Sequence, residues 1–82
     1  MTPQEKLHAM RRVGITTEYI RLDDAMKLAN IVGRGGMAKH LIQEGAVEVN
    51  GVTCTERGKK LRPGDKFTYL TVEFRVESDV AE

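Results

Sequence analysis

A chain of 82 residues with 40% hydrophobic side chains, two tyrosines, two phenylalanines and no tryptophan suffices for one domain around a lean aliphatic core, and is too short to wall a large catalytic cleft. The one cysteine, Cys54, excludes an internal disulfide, and no apolar run has the length of a secretory leader or a membrane span, so a reducing cytoplasm is expected. The formal net charge of +1 hides an uneven distribution: residues 1–20 hold three basic and two acidic side chains, residues 21–66 nine and six, and residues 67–82 one and four.

Leu7, Met10 and Val13 recur at helical spacing and predict one or two turns of helix within residues 1–13. Residues 15–20 (ITTEYI) are β-branched and aromatic and predict a short strand after Gly14. Leu22, Ala25, Leu28, Ala29 and Val32 then predict a helix over 22–32, with Asp23 and Asp24 at the positive end of its dipole and Gly33 as its stop. A second helix is predicted over 36–44. It places Met37, Ala38, Leu41 and Ile42 on a buried face and Lys39, His40 and Gln43 on the opposite one, and Gly45 ends it.

Val47-Glu48-Val49 alternates with a period of two, and Asn50-Gly51 is the pair best suited to a two-residue turn, so a hairpin into residues 52–55 is expected. A basic run over 57–63, a Gly64-Asp65 turn and a long strand over 66–76 follow. In that last strand Phe67 and Tyr69 have one parity, whereas Leu70, Val72, Phe74 and Val76 have the other, which calls for a bulge or bend near Tyr69-Leu70. Residues 78–82 form an acidic tail expected to fray. The fold class is therefore α+β: two consecutive short helices packed as a pair on one face of a small, mostly antiparallel sheet.

Four ordered stretches resemble the small RNA-binding domain known from ribosomal small-subunit protein S-four, also called the αL motif. Ile20-Arg21-Leu22-Asp23 is similar to the opening of its first helix, and Gly35-Gly36 with Ala38-Lys39 and Leu41-Ile42 to its second. Gly45 through Val47-Glu48-Val49-Asn50-Gly51 looks like its hairpin, and Gly58-Lys59-Lys60-Leu61-Arg62-Pro63-Gly64-Asp65 like its closing loop. The resemblance spans residues 20–67 and is greatest to stand-alone bacterial members associated with ribosomes. It implies one S-four-like domain over 1–82 that binds structured RNA, ribosomal or transfer RNA, as a monomer in contact with the ribosome. No catalysis, cofactor, metal or membrane is implied. Two departures stand out: Arg34 replaces a small residue that usually caps the second helix, and His40 replaces a second cation beside Lys39.

On this reading the RNA-binding residues are Arg21, Arg34, Gly35, Gly36, Lys39, His40, Gln43, Arg57, Lys59, Lys60 and Arg62. Gly35 and Gly36 expose backbone amides at a helix start, where anions bind. The 57–62 cluster supplies cations for phosphates, and each phosphate contact steepens the salt dependence of log affinity by roughly 0.7 to 0.9. With few aromatic rings, recognition of a folded RNA shape is expected over reading of splayed single strands. Taken singly, each feature also has a plain structural use: charge runs solvate loops, Asn-Gly makes turns, and a methionine such as Met26 or Met37 fills a core. Their ordered combination is what favours RNA. The alternative is a protein-interaction module, either of the β-grasp kind with one helix lying alone across the sheet, or the αL domain with a protein partner. His8 and His40 are the only histidines, and no metal-ligand spacing is present.

Overall fold

The computed structural model describes residues 9–33 and 37–80. Their elements run β1 (Ala9–Ile15), β2 (Ile20–Arg21), α1 (Leu22–Leu28), α2 (Met37–Gln43), β3 (Val47–Val49), β4 (Val52–Thr53), β5 (Lys60–Leu61), β6 (Lys66–Tyr69) and β7 (Val72–Ser78). One five-stranded sheet has the order β1-β7-β6-β3-β4, and β2 pairs with β5 as a separate antiparallel ribbon. The sheet is antiparallel except at one edge, where β1 runs parallel to β7. The α+β class thus holds, with a mixed sheet.

Alternation along the strands sends Val13, Ile15, Val47, Val49, Phe67, Phe74 and Val76 into one buried cluster with Leu22, Ala25 and Met26 of α1 and Ala38 and Ile42 of α2. The two helices touch one another and share that core. Arg12, Glu48, Lys66, Glu73 and Arg75 have the other parity and form a charged outer face. At the centre, Phe67 and Phe74 sit opposite each other across β6 and β7, their rings stacked with centroids 4.9 Å apart and 10° between planes.

Both helices stop for the same local reason. Gly45, at φ 84, ends α2: its N–H donates to Ile42 O and that of Ala46 to Leu41 O, which satisfies two carbonyls of the last turn. α1 ends in the same pattern earlier than residues 22–32 predict. Asn30 takes the left-handed conformation (φ 62), with Asn30 N bonded to Lys27 O and Ile31 N to Met26 O. Asparagine tolerates that region, so the apolar spacing continues past the helix without extending it.

Three further expectations are corrected. The helix expected within 1–13 lies partly outside the described residues, and from Ala9 onward the chain is strand, because Val13 and Ile15 alternate into the core beside β7. The strand expected over 15–20 does not form: β1 ends at Ile15, residues 16–18 bend, and only Ile20–Arg21 pairs again. The single strand over 66–76 is two strands, joined at Leu70-Thr71 with Tyr69 paired to Val72, so the change of parity marks a hairpin rather than a bulge. Met37 is also 55% exposed rather than buried, whereas Met26 is fully buried.

Gly14, inside β1, lies under the Asp79 side chain, whose carboxylate would have to move aside to admit a Cβ. That carboxylate crosses over Gly14 to meet the Arg12 guanidinium, which Glu77 also binds. Both bonds raise the Arg12 pKa above its ordinary value, the one to Asp79 most.

Leu70 occupies the left-handed region (φ 59) with its side chain 77% exposed, so its conformation is strained and little packing offsets the strain. Leu70→Asn is expected to raise the free energy of unfolding by about 1 kcal/mol, and β-branched Leu70→Val to lower it by about as much. Urea denaturation of both variants checks the sign.

Candidate nucleic-acid interface

The basic loop between β4 and β5 is fastened to the start of α1. Arg21 occupies the N-cap in an extended conformation (φ −76, ψ 151) and gives no side-chain cap. The loop backbone caps the helix instead: Leu22 N donates to Lys59 O at 2.8 Å and Asp23 N to Arg57 O at 3.1 Å. Asp24 N donates to Asp23 Oδ1 at 2.8 Å, so three of the first four helix amides are satisfied. These three amides are taken, so they are not free to bind an anion at the helix end.

The consequence for charge is direct. Arg21 lies opposite Lys60 in the β2–β5 register. Its guanidinium passes close to Gly58, where an added Cβ would sit 3.6 Å from Arg21 Nη2, and donates to Asp23 Oδ2 at 3.3 Å. Lys60 Nζ stands 4.9 Å from the centre of the Tyr19 ring, a cation–π pair. Thr17 Oγ1 donates to Tyr19 O at 2.7 Å and fixes the segment that carries the ring. Lys59, next in sequence, borders a separate hollow of about 470 Å³ with Val52, Thr53 and Cys54.

The far end of the loop is held by Asn50 and Asp65. Pro63-Gly64 forms a turn with Gly64 at φ 102, closed by Asp65 N to Arg62 O at 2.9 Å. Asp65 Oδ2 accepts from Arg62 N at 2.8 Å and Oδ1 from Asn50 Nδ2 at 3.3 Å. Asn50 Oδ1 in turn accepts from Lys66 N at 3.1 Å. The hairpin turn, with Asn50 and Gly51 at φ 52 and 86, therefore also clamps the turn that ends the basic loop.

Arg21, Arg57, Lys59 and Lys60 are thus brought together through one helix start and its loop, and Arg62 lies beyond them toward the hairpin. Lys39, His40 and Gln43 are exposed on α2, and His40 Nε2 is 2.8 Å from Glu44 Oε2. Arg34, Gly35 and Gly36 lie outside the described residues. Among the described residues, Lys39, Arg57, Lys59, Lys60 and Arg62 make no ion pair. Arg12, Lys66 and Lys27 face Asp79 and Glu77, Glu73, and Asp24, respectively. Tyr19 and the Asn50–Asp65 clamp are the residues that sequence reasoning missed; the signal for Tyr19 was an aromatic ring directly before Ile20-Arg21-Leu22-Asp23. Among the described residues there is no His, Cys, Asp and Glu cluster able to hold a metal, and no helix long and apolar enough to cross a membrane.

The family model of the S4 domain matches residues 13–77, from the last three residues of β1 to the penultimate residue of β7. The chain belongs to the S4 domain family. The S4 domain match confirms the S-four resemblance and extends it past residues 20–67 to the parallel strand β1 and to β7. A curated bacterial relative agrees: the Bacillus subtilis (strain 168) protein named "Probable ribosome maturation protein RlbA" is 43% identical over 53 residues, 65% of this chain and 75% of that protein.

Asp23 is nearly buried and accepts from both Asp24 N and Arg21. Asp23→Ala is expected to lower the free energy of unfolding of this S4 domain by about 1 kcal/mol, and Asp23→Asn by less, since the amide oxygen still accepts from Asp24 N. Equal losses in urea titrations contradict that role.

Proposed function

We propose that this S4 domain is a non-catalytic RNA-binding module for structured RNA, ribosomal RNA before transfer RNA, and that it works in association with the ribosome. The observation that carries the reading is the bonding of the basic loop to the start of α1. It sets Arg21, Arg57, Lys59 and Lys60 on neighbouring backbone, with four of the described cations of the 57–62 loop free of ion pairs. Membership of the S4 domain family and a relative named for ribosome maturation support the choice of partner. In this proposal α1 and α2 act as the αL pair, and Lys39, His40 and Gln43 extend the surface from the second helix, joined by Arg34, Gly35 and Gly36. The protein acts as a monomer in the cytoplasm.

The β-grasp alternative needs a helix that lies alone across the sheet. Here α1 and α2 touch each other and share one core, so no observation favours it.

The test is binding of a folded ribosomal RNA fragment, followed by fluorescence anisotropy at several salt concentrations. Log affinity is expected to fall linearly with log salt, and Lys59→Ala/Lys60→Ala to flatten the slope by roughly 1.4 to 1.8, two phosphate contacts' worth. No binding at low salt, or an unchanged slope and affinity in the double variant, overturns the proposal.

A further inference from the structure

Four aromatic rings are present in the chain, and three serve the core: Phe67 and Phe74 are buried and Tyr69 packs against them. Tyr19 is the exception. It is 37% exposed, on the segment between β1 and β2, and its ring is approached by a lysine that belongs to the proposed RNA-binding loop. The ring borders a shallow, open hollow of about 740 Å³, lined also by Arg21, Glu18 and Asp24.

The charges around the hollow decide what fits it. Two acidic residues against one arginine in its lining, Glu18 and Asp24 against Arg21, disfavour a phosphate there. A nucleobase is neutral, offers a flat face to an aromatic ring and N–H groups to carboxylate oxygens, and carries its own phosphates outward toward Arg21 and Lys60. Tyr19 is also pre-positioned: the Thr17 hydroxyl holds its carbonyl at 2.7 Å, and Ile20 is locked in the ribbon opposite Leu61.

We infer that Tyr19 is a stacking platform for a single unpaired base of the bound RNA, with Arg21 and Lys60 holding the phosphates that flank it. This rests on the RNA-binding reading and deepens it: the preferred target is a structured RNA with an extrahelical nucleotide, a bulge or loop base, rather than a flush duplex. Lys60 polarises one side of the ring, and the base takes the remaining exposed surface.

The experiment uses two RNA hairpins of equal length, one with a bulged 2-aminopurine and one fully paired, and the proteins wild type, Tyr19→Phe and Tyr19→Leu, each shown by circular dichroism to be folded. Wild type and Tyr19→Phe are expected to bind the bulged RNA with altered 2-aminopurine fluorescence. Tyr19→Leu is expected to bind it roughly tenfold or more weakly with that change lost, to bind the paired RNA as wild type does, and to keep the wild-type salt slope. Tyr19→Leu binding the bulged RNA like wild type, or losing affinity equally for both RNAs, overturns the stacking role while leaving RNA binding intact. Wild type binding neither RNA at low salt overturns the RNA-binding reading itself.

Discussion

Two backbone hydrogen bonds, from the amides of Leu22 and Asp23 to the carbonyls of Lys59 and Arg57, organise the end of the molecule that carries the proposed RNA site. A helix start needs its free amides satisfied, and a mobile basic loop needs a fixed position if its charges are to recognise anything. Each requirement meets the other here. The loop caps the helix with its carbonyls, and its cationic residues Arg57, Lys59, Lys60 and Arg62 are all exposed. Arg21, with no capping duty of its own, lies alongside them.

The remainder of the fold supports that junction. At the other end of the loop, Asn50 and Asp65 tie the β3–β4 turn to the Pro63-Gly64 turn, so the basic segment is anchored at both ends by polar groups that carry no net positive charge. Beneath it, Leu22 and Leu61 are fully buried in the same core as the stacked phenylalanines. The opposite face of the sheet is charged as well, and two of its three cations lie beside carboxylates, Arg12 with Asp79 and Glu77 and Lys66 with Glu73, while Arg75 makes no ion pair among the described residues. Of two charged surfaces, one has most of its cations paired whereas the loop's four cations are unpaired among the described residues, and this difference separates a solvated face from a candidate polyanion site better than counting charges does.

What was legible in the sequence was local. Gly45 as a helix stop and Asn50-Gly51 as a hairpin turn follow from backbone angles that few residues adopt, and both formed as expected. The order of helix, helix, hairpin and basic loop was equally readable. What the sequence concealed depended on distant partners. β1 is a strand because β7, some sixty residues later, offers a parallel edge to Val13 and Ile15, whereas three apolar residues at helical spacing gave no hint of it. The shift of parity in residues 66–76 was visible, but the choice between a bulge and a hairpin rested on Leu70 accepting a left-handed conformation that its type disfavours. Tyr19 gained meaning only when Lys60 was found over its ring. Asn30, a polar residue inside an apolar pattern, ended a helix that the pattern alone would have prolonged.

The α1 start and the loop bound to it are proposed to form one RNA-facing unit. Backbone amide chemical shifts, followed by NMR as a folded RNA is titrated into the labelled protein, address it residue by residue. The largest changes are expected to fall together on residues 19–24 and 57–61. Changes concentrated instead on the outer sheet face, at Arg12, Lys66 and Arg75, with residues 19–24 and 57–61 unmoved, would contradict it.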